Sequence, residues 1–460
     1  MPRRRNPLVI DMPPPVERGS PPSASSQGDW LDNAIFFGMM ALLMFAPLAF
    51  GATQAWSQFV QRTFALVLAA LWVARQYLRG TLEVPSNPLL VPAVLFFCFV
   101  VLQFLTGLTA YRYATLTEAL NLVPCGILLF LSGEFFGRRH RLHQLVAVMA
   151  LFGFAVALFA MFQDFSGTDK IYGIVPLHYL SVLFYGPYAN HNHYAGLMEM
   201  LTPLAAAAAF LEQGAKRSLL LFATILMAAS IVLSRSRGGM LGLGLSILFV
   251  CAVLYRSDRE RRAGLAILAV TAGIAIVVLM LANDTVLERL KETQDNYRAT
   301  IYADSIRMWW HKPLLGFGWG TFPNVYPQFR SFYINLFVNH THNDYLEMLV
   351  DTGLIGAILT GWFLFHVIRG GMRKIADKGD REGSILALGL MAGIVALLTH
   401  SMLDFNLHIP ANAAMFYVLC TAAATPFRHR IRHANFAPAA RKRKKKAEPD
   451  LQPMLMDDLV

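Results

Sequence analysis

One apolar run follows another along most of this 460-residue chain. A bilayer core about 30 Å thick asks about 20 consecutive apolar residues of each spanning helix, because no water is there to satisfy the backbone and only a helix satisfies it within one segment. The runs lie near 34–51, 59–74, 88–109, 117–136, 143–163, 194–211, 218–234, 238–254, 263–282, 345–368, 383–400 and 410–427, which makes twelve spans. The expected fold is therefore all-α, a polytopic integral membrane protein. Composition excludes the soluble alternative, since only 15% of residues are charged against roughly 25% in ordinary soluble domains. Cys98, Cys125, Cys251 and Cys420 sit inside apolar runs without paired spacing, so neither a disulfide framework nor a thiolate metal site is implied.

Residues 1–33 carry Arg3, Arg4 and Arg5, then a Pro/Ser-rich stretch, and lack the apolar core that follows the basic cluster of a cleaved signal peptide. They read as a disordered tail. Basic connections stay on the cytoplasmic side, and placing the N-terminus there assigns 29 of the 40 Lys and Arg to that side. Both termini are then cytoplasmic, with residues 34–427 as the membrane body and 428–460 as a basic tail. The run Arg441 to Lys446 reads as a topology and anionic-lipid signal, and the net charge of +11 does not point to nucleic acid. Two outer loops stand out by length, about 164–193 and about 283–344, the second between spans nine and ten. Long loops on one face are a natural place for a site.

Three groups on that face carry chemistry. Arg235 and Arg237, in Ser234-Arg235-Ser236-Arg237-Gly238-Gly239, join spans seven and eight through a connection too short to release them into bulk water. A guanidinium at that depth is costly unless paired or lining a wet cavity, and its planar fork suits phosphate or diphosphate oxygens. Second, His342 and Asn343 precede Gly353 and Gly356. Counted at about 100° per residue, His342 and both glycines share one face of span ten, a small-residue stripe for close helix packing that would hold a proton-accepting imidazole. Glu347 and Asp351, four apart on the same helix, are expected to pair with loop arginines. Third, His191 with His193, His340 with His342, and His400 with Asp404 gather on the outer side. Zinc ligation is one reading of these pairs, but i and i+2 positions share a face only in extended chain, and the expectation is no metal. Asn190 and Asn192, with Tyr185 and Tyr188, read either as sugar-binding and stacking groups or as polar groups satisfying a loop.

The segment 234–239, the stretch from Arg298 to Gly318, the His342-Asn343…Gly353…Gly356 spacing and His400-Ser401-Met402-Leu403-Asp404-Phe405-Asn406 resemble, in order, the bacterial O-antigen ligase and O-antigen polymerase superfamily. The resemblance covers about 185–410. It implies a twelve-span inner-membrane protein with a large periplasmic loop, moving a glycan from undecaprenyl diphosphate to an acceptor hydroxyl on a saccharide or lipid core, with no nucleotide sugar, metal or other cofactor. It implies that Arg237, with Arg235, and Arg298 bind the diphosphate, Arg307 being a second choice, and that His342 orients or deprotonates the acceptor. Tyr185, Asn190, His191, Asn192, His193, His340, Asn343, Glu347, His400, Asp404 and Asn406 are assigned to acceptor binding or site architecture. Ligase and polymerase are not separated by sequence. A transporter or flippase for a lipid-linked glycan is the alternative; it calls for inverted repeats and discontinuous helices, neither of which is read in the sequence. An intramembrane zinc hydrolase would need the outer histidines to converge on one point.

Overall fold

The structure, a computed structural model, describes residues 24–80, 82, 84–176, 183–256, 262, 264, 296–333, 335 and 337–427. Among these residues twelve helices longer than one turn carry the fold: α1 Ala24–Leu48, α2 Ala55–Arg79, α3 Leu90–Thr106, α4 Arg112–Phe135, α5 Arg139–Phe165, α6 His191–Leu211, α7 Gly214–Leu233, α8 Arg237–Tyr255, α9 Asn296–His311, α10 Asp344–Ile375, α11 Arg381–His400 and α12 Pro410–Ala424. Among the described residues nine helices are long and apolar enough to cross a membrane, and the shorter α3 and α12 are apolar too. The protein is an all-α polytopic membrane protein. Apart from residue 264, the span expected at 263–282 lies outside the described residues, as does the tail at 428–460. Two boundaries are corrected: α1 begins at Ala24, inside the stretch read as a tail to residue 33, and α6 begins at His191, inside the loop read as 164–193.

Side-chain distribution follows from hydrocarbon as solvent. Helix α12 and most of α6 are buried, while α2 and α3 turn Phe59, Leu66, Val73, Val91, Leu95 and Leu102 outward. An apolar surface of that extent belongs against lipid, not water. At the end of the bundle where α1 begins, Arg75 is fully buried between Asp32 at 2.5 Å and Glu134 at 2.8 Å, a pairing that stitches α1, α2 and α4 together.

Span ten differs most from expectation. The helix starts at Asp344, and Asn343 caps it by accepting from the backbone N–H of Tyr345 and Leu346. His342 therefore lies outside the helix, in left-handed backbone with φ 56°. At Gly353 the helix breaks, with φ 61° and ψ −160°, so the shared face counted from His342 does not exist. The break leaves backbone groups unsatisfied, and the segment 313–318 satisfies them: Leu354 and Ile355 donate to the carbonyls of Pro313 (2.9 Å) and Leu314 (3.2 Å), while Phe317 and Gly318 donate to those of Val350 (3.0 Å) and Asp351 (2.9 Å). A Cβ at Gly353 would overlap the Leu314 carbonyl. Gly353 thus packs on this loop and not on a neighbouring helix, and a Cβ at Gly356 would overlap Thr352 of the same helix. The expectation of uninterrupted spans is corrected as well.

Candidate functional site

Five segments meet at the end of the bundle where α6 and α10 begin. The first is the α7–α8 turn. Ser236 caps α8 by accepting from Gly239 N–H at 3.1 Å, which makes Arg237 the first residue of that helix. Arg235 occupies left-handed backbone, φ 62°. His191, opening α6, contacts the Ser234 carbonyl through Nδ1 at 2.8 Å and so ties the turn to the second segment. Left-handed backbone costs a non-glycine residue roughly 1–2 kcal/mol, and such conformations persist where surroundings over-determine them, commonly at functional sites. Arg235 and His342, both expected from sequence as site residues, are two of five such non-glycine positions among the described residues.

His342 faces Asp404, with Nδ1 3.1 Å from Oδ1. The same oxygen accepts from Phe405 N–H at 3.0 Å. Asp404 is 1% exposed while the His342 side chain keeps 34% of its surface, so the carboxylate is sealed beneath an accessible ring. Burial works to raise the Asp404 carboxyl, but the His342 hydrogen bond and the electrostatic pull of the His193, His342 and His400 imidazoles outweigh it and hold the group well below the usual carboxylate range. An ionised Asp404 takes Nδ1–H from His342, which fixes the tautomer and leaves Nε2 with its lone pair. Phe405, which sequence reasoning left without a role, organises the surroundings: His340 stacks on it at 4.0 Å, and His193 and His342 meet it edge-on at 4.8 and 5.1 Å.

Helix α9 lies over both halves of this arrangement. Arg298 donates to the Leu403 carbonyl at 3.0 Å, and Tyr302 donates to the His342 carbonyl at 2.8 Å. Arg307 does not converge. It pairs with Asp304 on its own helix, and Asp304 in turn accepts from Tyr326 OH and Ser331 N–H.

The expected arginine partners of Glu347 and Asp351 are replaced by others. Glu347 Oε1 lies 2.8 Å from His340 Nδ1 and 3.3 Å from His408 Nε2, and Oε2 accepts from Thr341 N–H. His408 Nδ1 meets Asp344 at 2.8 Å. Asp351 accepts from Gly320 N–H at 2.7 Å. The donor atoms of His340, Glu347 and His408 lie within 4.8 Å of one another, close enough to consider a cation. Both His408 nitrogens, however, already face carboxylates. Burial disfavours its charge, yet Glu347 and Asp344 push it up to about 10, so the group is balanced internally by an imidazolium between two carboxylates. Asp344, Thr341 and His408 escaped sequence reasoning. The acids at 344 and 347, spaced to share a helix face, were a signal; His408, sixty residues away, gave none.

The remaining expected residues are mostly architecture. Tyr185 and Tyr188 are 3% and 1% exposed, Tyr185 packing on the Tyr194 ring at 4.8 Å and Tyr188 donating to Asn412 at 2.9 Å. The reading of these rings as sugar-stacking surfaces is corrected, because protein already covers them. Asn190 is the cap of α6, with Asn192 half-buried in its first turn. Asn406 is buried and accepts from Asn412, which also donates to the His193 carbonyl. His400 is buried against Glu199, Nδ1 to Oε1 3.1 Å, a partner that sequence did not suggest.

Residues 222–361 match a family model described as O-antigen ligase. The matched stretch holds the 234–239 turn, Arg298, His342 and the broken part of α10, and stops short of Asp404. No curated protein matches the chain at a significant level.

Proposed function

We propose, from the likeness of residues 222–361 to the O-antigen ligase family model, that the protein moves a glycan from a polyprenyl diphosphate, of the undecaprenyl type, to an acceptor hydroxyl. The reaction faces the periplasm of a bacterial inner membrane and uses neither metal nor other cofactor. The observation that carries the reading is the sealed Asp404 beneath an accessible His342, an arrangement suited to accept one proton at Nε2.

In this reading His342 Nε2 takes the hydroxyl proton as the acceptor oxygen attacks the anomeric carbon. The bond from that carbon to the diphosphate oxygen breaks, the electron pair leaves with the diphosphate, and a single displacement inverts the anomeric centre. Asp404 stabilises the imidazolium that forms. Arg235, Arg237 and Arg298 meet the negative charge gathering on the leaving group, and donors fixed in place before reaction stabilise such charge without reorganising. The site's location at the end opposite Arg75, Arg79 and Arg138 supports the periplasmic orientation, since basic residues mark the cytoplasmic end.

The test is purified protein in lipid nanodiscs given defined undecaprenyl-diphosphate glycans and candidate acceptors, with products weighed by mass spectrometry. The expected result is glycan on the acceptor with release of undecaprenyl diphosphate, abolished by His342→Ala. Chain growth would mark a polymerase and one capped product a ligase. Transfer that persists in His342→Ala would remove the histidine from the mechanism, and movement of intact donor across the bilayer without bond cleavage would favour the flippase.

A further inference from the structure

Glu199 and His400 form a buried pair that the proposed mechanism does not use. Glu199 lies inside α6, His400 is the last residue of α11, and their side chains are 0% and 1% exposed. Against this pair lies one edge of α8. A Cβ at Gly238 would overlap the His400 ring, and a Cβ at Gly242 would come within 2.5 Å of Glu199 Oε2. Positions four apart share a helix face, so the two glycines form a smooth edge that lets the start of α8 settle directly on the pair. That start is where Arg235 and Arg237 sit. His400 also serves the other half of the site through its backbone, whose carbonyl accepts from Leu403 N–H at 2.8 Å and Asp404 N–H at 3.1 Å.

We propose that Glu199 and His400 are positioning residues that set the depth and direction of the Arg235–Arg237 turn, so that one histidine places the donor-binding arginines through its ring and the Asp404 turn through its backbone carbonyl. The inference rests on the reading of those arginines as diphosphate ligands. Glu199 holds the His400 ring by Nδ1 in the orientation that turns its Cδ2–Nε2 edge to Gly238; without Glu199 that orientation loses its hydrogen bond, and the turn above loses its seat. Side chains on rigid elements keep productive geometry only when their own support is fixed.

The experiment measures steady-state transfer and pyrophosphate-induced thermal stabilisation of the full-length protein in nanodiscs, for wild type, Glu199→Ala, Glu199→Gln, Gly238→Ala and Arg237→Ala. Small displacements of positioned groups cost up to about a hundredfold in rate, so Glu199→Ala and Gly238→Ala should raise donor KM by roughly tenfold or more with acceptor KM unchanged. Glu199→Gln, whose amide oxygen still accepts from Nδ1–H, should recover most of the loss. Inorganic pyrophosphate should stabilise wild type, and Glu199→Ala should need more of it. A merely structural pair would lower the thermal midpoint while the surviving fraction kept wild-type donor KM, and that result overturns the proposal while leaving the arginine reading intact. Normal donor use by Arg237→Ala would instead overturn the arginine reading, and this inference with it.

Discussion

Replacing Asp404 by Asn separates the charge of that residue from its shape. Oδ1 of Asp404 accepts from both Phe405 N–H and His342 Nδ1. An asparagine has one acceptor oxygen, and Phe405 N–H requires it at the Oδ1 position, so His342 should keep its tautomer and lose only the negative partner. A hydrogen bond to a charged group contributes about 1.5–3 kcal/mol and one to a neutral group about 0.5–1.5 kcal/mol, so the loss is about 1–1.5 kcal/mol. With 1.36 kcal/mol per factor of ten, kcat should fall by about 5- to 13-fold, and the 1% exposure of Asp404 leaves little solvent to soften the loss. Asp404→Ala removes the acceptor for both donors and should cost more. The assay is single-turnover transfer at saturating donor and acceptor, with the folded fraction of each variant checked by gel filtration. If both variants turned over at the wild-type rate, His342 would need no anion beneath it and the dyad argument would fail.

The two α9 arginines should part company: Arg298→Ala should reduce donor use by about a hundredfold, the typical cost of one transition-state donor, while Arg307→Ala changes transfer little. Equal losses in single-turnover assays would contradict the geometry that separates them. Gly353→Ala forces a side chain into left-handed backbone, at roughly 1–3 kcal/mol, and into the Leu314 carbonyl; its thermal midpoint should drop clearly, and a wild-type midpoint would refute the packing described. His408 carries a pKa raised from 6.5 to about 10. A raised group stabilises fully below its unfolded value and loses that contribution as pH climbs through its folded value. Stability should therefore decline between about pH 6.5 and about 10, and His408→Gln should flatten the decline; a level wild-type profile across that window would count against the imidazolium.

The membrane body was legible because a bilayer imposes one rule on every span, and the alternation of basic connections supplied an expected orientation. Arg235, Arg237 and His342 were legible because charged or titratable side chains between apolar runs need a reason to be there. What escaped was pairing across distance. Glu199 meets His400 two hundred residues later, and His408 meets acids on α10, contacts for which local sequence holds no periodicity. The glycines of span ten misled because a regular helix was assumed through Gly353; the residue is there for left-handed backbone and a close loop, and angular counting fails once the helix breaks. Tyr185 and Tyr188 looked like surface aromatics because they sit in a polar loop, yet that loop folds back under α6.

The break in α10 has a mechanical outcome. The stretch after α9 donates to, and accepts from, the same ruptured turn, which welds the extramembrane roof to a span on both sides of its kink. Lifting that roof as a hinged flap would strand several peptide groups within the protein body with no water to greet them, so α9 and the upper part of α10 are tied into one piece, and under the proposed function whatever yields to admit a lipid-borne sugar has to yield elsewhere.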